Sequence, residues 1–178
     1  MAHSNSAAAA VAAVGTPGAG GNQQFLTFLL GREMFAIEIL NIKEIIEYGR
    51  VTAVPMVPTF VRGVINLRGR VVPVVDLQAR FGRQSDRVGK RTCIVIVEVE
   101  NAGEHRDIGG VVDAVSEVLE IQPADIEEAP AFGARLHPAF IAGMGKIDDE
   151  FVIILDVEKV LSLTEMTAMV SQSNAMAD

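Results

Sequence analysis

Asp148-Asp149-Glu150 is a run of three adjacent carboxylates, the kind of oxygen ligand that a hard divalent cation takes. The same run stands where an earlier stretch of the chain has Arg68-Gly69-Arg70. That equivalence favours a solvated hairpin turn over a metal site. His3, His105 and His137 lie far apart, with no Cys, His or carboxylate at ligand spacing, and His105 and His137 read as loop residues. HExxH, CxxC and GxxxxGK[ST] patterns are absent. The glycines from Gly15 to Gly21 have neither the lysine nor the preceding strand of a phosphate loop. No GxSxG elbow occurs, so neither a nucleophile nor a base accompanies the carboxylates. The single cysteine, Cys93, cannot form an internal disulfide; within the apolar run Thr92 to Val97 it reads as a buried, inert thiol. This inventory points away from an enzyme and implies no cofactor and no metal.

The elements that position these residues come in two copies. Pro58 to Phe81 (PTFVRGVINLRGRVVPVVDLQARF) aligns with Pro138 to Leu161 (PAFIAGMGKIDDEFVIILDVEKVL) at an offset of 80. Pro58/Pro138, Phe60/Phe140, Gly63/Gly143, Val72/Val152 and Asp76/Asp156 are identical, and most other pairs exchange one apolar residue for another. A second match at an offset of 73 sets Ile42 to Glu47 against Val115 to Glu120. The period is too long for a solenoid and suits two copies of one small folding unit. Positions kept in both copies serve the fold, and Asp76 and Asp156 read as caps of short helical turns. Charged positions that differ are free for other work. Glu44 is retained as Glu117, whereas Arg68 becomes Asp148, so Glu44 and Arg68 can pair only in the first copy. Such a pair is either an ordinary surface salt bridge or a charged anchor of fixed orientation.

The 178 residues are 49% hydrophobic and 21% charged, as in soluble globular proteins, and no run is long enough for a membrane span or direct membrane insertion. The net charge of −8 divides unevenly. Residues 25–83 hold 8 Lys/Arg against 5 Asp/Glu, and residues 91–165 hold 5 against 16. Opposite signs on duplicated halves favour head-to-tail contacts between such units. The acidity, with one Tyr and no Trp, argues against a nucleic-acid partner.

We expect residues 1–24 to form a disordered Ala/Gly-rich tail, 25–83 a first unit, 84–90 a linker, 91–165 a second unit and 166–178 a C-terminal tail. Strands are expected at Phe25–Leu30, Met34–Ile37, Val61–Leu67 and Arg70–Val75 in the first unit. Those of the second are Thr92–Val99, Asp107–Val112, Val118–Ile121, Phe140–Ile147 and Phe151–Leu155, before a C-terminal helix. Ile39, Ile42, Ile45 and Ile46 fall at helical spacing and predict a short amphipathic helix ending at Gly49. Short strands with frequent turns indicate a mostly β protein of two small five-stranded barrels.

Phe60 to Gln78, FVRGVINLRGRVVPVVDLQ, closely resembles the CheW family of chemotaxis coupling proteins. Phe25 to Ile46, Asp107 to Ile121 and the stretch from Phe140 extend the resemblance to about Leu163. It implies two SH3-like barrels and a non-catalytic, cytoplasmic adaptor at the receptor array on the inner face of the membrane. The implied partners are the cytoplasmic tip of chemoreceptors and the regulatory domain of the histidine kinase CheA. Carried over by position, the receptor-facing residues are Ile42, Glu44, Arg62, Gly63, Arg68, Cys93 and Val118; the kinase-facing residues are not assigned. Cys93 departs from the aliphatic residue usual at its position.

Overall fold

Each copy of the repeat opens with a hairpin. The computed structural model describes residues 23–85, 87–101, 103–129 and 136–162. In the first copy β1 (Gln23–Leu30) and β2 (Glu33–Glu38) form the hairpin, turning at Gly31 with φ 64°. β3 (Ile42–Glu47), β4 (Val61–Leu67), β5 (Arg70–Asp76) and the one-turn helix α1 (Leu77–Arg80) follow. In the second copy β6 (Cys93–Asn101) and β7 (Glu104–Val112) form the hairpin. Then come β8 (Ala114–Ile121), β9 (Ile126–Glu127), β10 (Ile141–Ile147), β11 (Glu150–Leu155) and α2 (Val157–Val160). The expected N-terminal tail lies outside the described residues except for Gln23 and Gln24, which already pair with β8. Of the expected C-terminal helix only the turn α2 is described, and the tail from 166 lies beyond the described residues.

The fold is mostly β, in one sheet of six strands and one of five, but the sheets do not follow the order of the chain. One sheet runs β8-β1-β2-β11-β10-β9 and the other β3-β6-β7-β5-β4. Each sheet therefore joins the opening hairpin of one copy to the remaining strands of the other. The expectation of contiguous units, 25–83 and 91–165, is corrected here. Parallel pairs β5–β7 and β2–β11 make the exchange. Alternating burial fixes which face of a strand is apolar, not which sheet receives it. Two small clusters fill the sheets separately: Ile65, Val72, Val74, Ile94, Ile96 and Val111 in one, Phe25, Ala36, Ile121, Val152 and Ile154 in the other. The largest cluster, with Leu26, Phe28, Phe35, Val95, Val97 and Val112, draws on both sheets.

The segment expected to be a helix is a strand. Ile39–Asn41 makes a 3-10 turn and Ile42–Glu47 is β3. Ile42 opposes Val97 and Glu44 opposes Ile96, so Lys43 is the extra residue of a β-bulge. The bulge brings Ile42 and Ile45 to the same buried face at a spacing of three, which imitates helical periodicity. The equivalent strand β8 has its irregularity at the same place, where the Thr27 hydroxyl donates to Glu117 O at 2.9 Å and accepts from Glu117 N at 3.2 Å.

The caps and turns follow the repeat. Asp76 accepts from Ala79 N at 3.2 Å and Asp156 from Lys159 N at 3.3 Å. The β4–β5 and β10–β11 hairpins turn through two residues with positive φ: Arg68 and Gly69 at 52° and 84°, Asp148 and Asp149 at 46° and 65°. The carboxylate run is thus a hairpin turn. Arg80, whose equivalent is Val160, contacts both copies. Its guanidinium lies 5.0 Å from the Phe60 ring and 4.7 Å from the Phe140 ring, and its Nε donates to Val160 O at 2.8 Å.

Candidate partner-binding surface

The β4–β5 turn carries Arg68 out over β3. Its Nη2 donates to Glu44 Oε2 at 2.8 Å, joining two elements 24 residues apart. Asn66 Oδ1 accepts from Gly69 N at 2.8 Å and braces the turn. Arg68 is 78% exposed at its side chain and Glu44 24%. Glu44 Oε1 is buried and finds no hydrogen-bond partner among the described residues. The expected pair therefore forms, with one exposed end and one spare acceptor. Glu44 reaches it from the strand just past the bulge, not from a helix.

The apolar residues of the expected set share one buried cluster. Ile42 is buried in the large inter-sheet cluster, and Cys93 and Val118 pack against that cluster half-buried. Ile42, Glu44 and Cys93 share the β3–β6 ladder, whereas Val118 lies on β8 of the other sheet, opposite Leu26. The common cluster is what links Val118 to the others. Cys93 is not fully buried as expected, because it opens β6 opposite Glu47 at the end of the ladder. Its thiol donates to Arg91 O at 3.4 Å. Burial, with a smaller contribution from the Glu47 carboxylate, pushes its pKa up and keeps the less reactive thiol form.

Arg62 and Gly63 have different surroundings. Arg62 Nε and Nη2 donate to Asp76 Oδ2 at 3.0 and 2.7 Å, and its guanidinium lies 5.7 Å from the Tyr48 ring centre. Burial by itself would lower the Arg62 pKa, but the Asp76 hydrogen bonds and charge, with Tyr48, hold it above the ordinary value. The Ser85 hydroxyl also donates to Asp76 Oδ2. Asp76 is therefore more than the cap expected of it. Gly63 has φ 145°, and a Cβ there would stand 2.0 Å from Thr52 O. This close approach lets Thr52 and Val64 exchange hydrogen bonds of 2.9 Å each. Among the described residues no hydrogen bond or ion pair joins Arg62 directly to the Glu44–Arg68 pair.

Three charged contacts were missed by motif reasoning. Asp107, 8% exposed at its side chain, accepts from Lys43 at 3.0 Å and forms an ion pair with Arg70 at 3.3 Å, tying β3, β5 and β7 together. Arg80 and the Arg62–Asp76 pair are the others. The repeat did carry a signal for both arginines, since each faces an uncharged equivalent, Val160 and Ala142.

Residues 24–165 match the family described as the CheW-like domain. The chemotaxis protein CheW of Klebsiella aerogenes is 39% identical over 144 residues, 81% of this chain and 84% of that protein. The protein PilI of Pseudomonas aeruginosa is 33% identical over 66% of this chain and 64% of its own length. The crystal structure of the scaffolding protein TtCheW from Thermoanaerobacter tengcongensis superposes with a TM-score of 0.72 at 33% identity, covering 80% of this chain and 94% of that one. The chain belongs to the CheW-like domain family. It is accordingly a chemotaxis coupling scaffold, not an enzyme. Among the described residues no helix is long and apolar enough to cross a membrane.

Proposed function

We propose that this protein couples chemoreceptor tips to a CheA-type histidine kinase, working in the cytoplasm at the receptor array. The receptor tip meets the surface edged by Ile42, Cys93 and Val118, with the Glu44–Arg68 pair as its charged anchor. Arg62 and Gly63 belong to the same surface: Arg62 as a cation held in place by Asp76, Gly63 as the close approach that shapes the strand. The kinase regulatory domain, itself similar to this chain, takes a separate contact. The single observation supporting this reading is the Glu44–Arg68 pair of 2.8 Å, held on β3, whose Ile42 and Ile45 belong to the inter-sheet cluster. An apolar border gives contact area, and an exposed, pre-oriented guanidinium selects an acidic rim on the receptor helices.

The test is a titration of the folded protein with a receptor tip fragment and, separately, with the kinase regulatory domain. Wild type binds both. Arg68→Asp weakens receptor binding roughly tenfold or more, as expected for reversing an interface charge, and leaves kinase binding within about twofold. Equal receptor binding by wild type and Arg68→Asp removes the anchor role. Failure of wild type to bind either partner overturns the coupling assignment for these partners.

A further inference from the structure

The repeat puts Ala142 where the first copy has Arg62, and a cavity lies beside it. In the first copy the Arg62 guanidinium rests on Asp76 through contacts of 3.0 and 2.7 Å. In the second copy the equivalent carboxylate, Asp156, accepts one side-chain hydrogen bond among the described residues, from Lys159 N. Next to Asp156 and Ala142 opens a cavity of about 300 Å3, lined also by Phe25, Glu38, Ile126 and Glu158. We propose that this cavity receives an arginine side chain presented by a protein partner, whose guanidinium takes on Asp156 the place that Arg62 takes on Asp76.

Three observations favour that occupant. The first is internal: the same carboxylate position, on the same strand-to-helix turn, already holds a guanidinium in the other copy. The second is charge, since Glu38, Asp156 and Glu158 surround the cavity and no Lys or Arg lines it. The third is the apolar wall of Phe25 and Ile126, which suits the methylene stem of arginine behind its charged head. Arginine fits better than lysine because a planar fork can engage two acceptors at once. No three metal-ligating side chains converge among the described residues. None of the seven receptor-surface residues lines the cavity, so this site stands or falls separately from the coupling assignment.

The test uses the full-length protein, labelled for amide NMR and titrated with N-acetyl-arginine amide. N-acetyl-citrulline amide serves as the uncharged isostere. Wild type should show saturable shifts at Ala142, Asp156 and Glu158 with the arginine probe. Asp156→Asn, which keeps a capping side chain, should weaken binding roughly tenfold by removing the charge-assisted partner. Ala142→Arg should supply the missing guanidinium from within, abolish the shifts and raise the melting temperature. Absence of saturable shifts in wild type overturns the proposal. So does equal binding of the citrulline probe, or binding by Asp156→Asn within twofold of wild type. If Ala142→Arg fails to fold, the other two arms still decide the matter.

Discussion

Hairpin β4–β5 pairs Val61 with Val75 and Leu67 with Arg70; hairpin β10–β11 pairs Ile141 with Leu155 and Ile147 with Glu150. Register, bulge and aspartate cap are the same. The charges are not. In the first hairpin Arg62 is tied to Asp76 and Arg68 to Glu44. In the second those arginines are Ala142 and Asp148, leaving a cavity at one place and an acidic turn at the other. Backbone geometry was kept because bulge, turn and cap each demand particular residues. Surface charge could diverge because it costs the fold little. The duplication thus separates what holds a sheet together from what a sheet offers to others.

The largest expected difference between the hairpins lies at their shared glycine. Gly63→Ala forces a Cβ within 2.0 Å of Thr52 O at φ 145°, and denaturant unfolding should show a loss of about 3 kcal/mol or more. Gly143→Ala meets Ile126 Cγ2 at 2.9 Å and Glu127 O at 3.2 Å, with no positive φ, and should cost about 1 to 2 kcal/mol. Equal losses would show that the two approaches are not different in kind.

Next comes the buried carboxylate. Arg62→Ala leaves Asp76, 6% exposed at its side chain, with only the Ala79 and Ser85 donors. A loss of about 2 kcal/mol is expected, less than for a fully buried pair because Arg62 itself is partly exposed. The second copy needs no such partner, so Ala142→Gly should change stability by well under half of that.

A smaller effect is expected at the turns. Gly69 occupies a left-handed position that Asp149 must also adopt, at φ 65°. Asp149→Gly should stabilise the protein by about 0.5 to 1 kcal/mol in thermal unfolding, and Gly69→Asp should cost a similar amount. A destabilised Asp149→Gly would mean that the acidic side chain contributes more than its backbone strain removes.

The smallest effect concerns Cys93. Its raised pKa means that thiolate is less populated in the folded state than in an unfolded chain. The pH profile of iodoacetamide alkylation should therefore be displaced to the alkaline side in the native protein and return toward the ordinary value in denaturant. The sign for stability agrees. A thiol with a raised folded pKa favours the fold at neutral pH relative to alkaline pH, and that advantage is lost as pH rises through the folded value.

The parts legible in the sequence were those set by single residues: the caps at Asp76 and Asp156, the turn at Arg68-Gly69, the duplicated Gly63 and Gly143. The Glu44–Arg68 pair was legible as well, because only one copy offers both charges. β3 was misread because its Lys43 bulge gives Ile42 and Ile45 a helical interval. The exchanged hairpins were hidden for a different reason. A strand pattern records burial of a face, and either sheet would bury Leu26 or Val95 equally well. Partner choice is a property of the whole chain, as is the Arg80 position between Phe60 and Phe140.

If receptor recognition belongs to the charges peculiar to the first hairpin, reciprocal exchange of those charges between the hairpins reveals it. Receptor tip binding would be measured for wild type, Arg68→Asp and Asp148→Arg, each confirmed folded by its thermal transition. Arg68→Asp should weaken binding roughly tenfold or more while Asp148→Arg stays within about twofold of wild type. Loss of binding in Asp148→Arg with Arg68→Asp unaffected would contradict it and move the receptor site to the second hairpin.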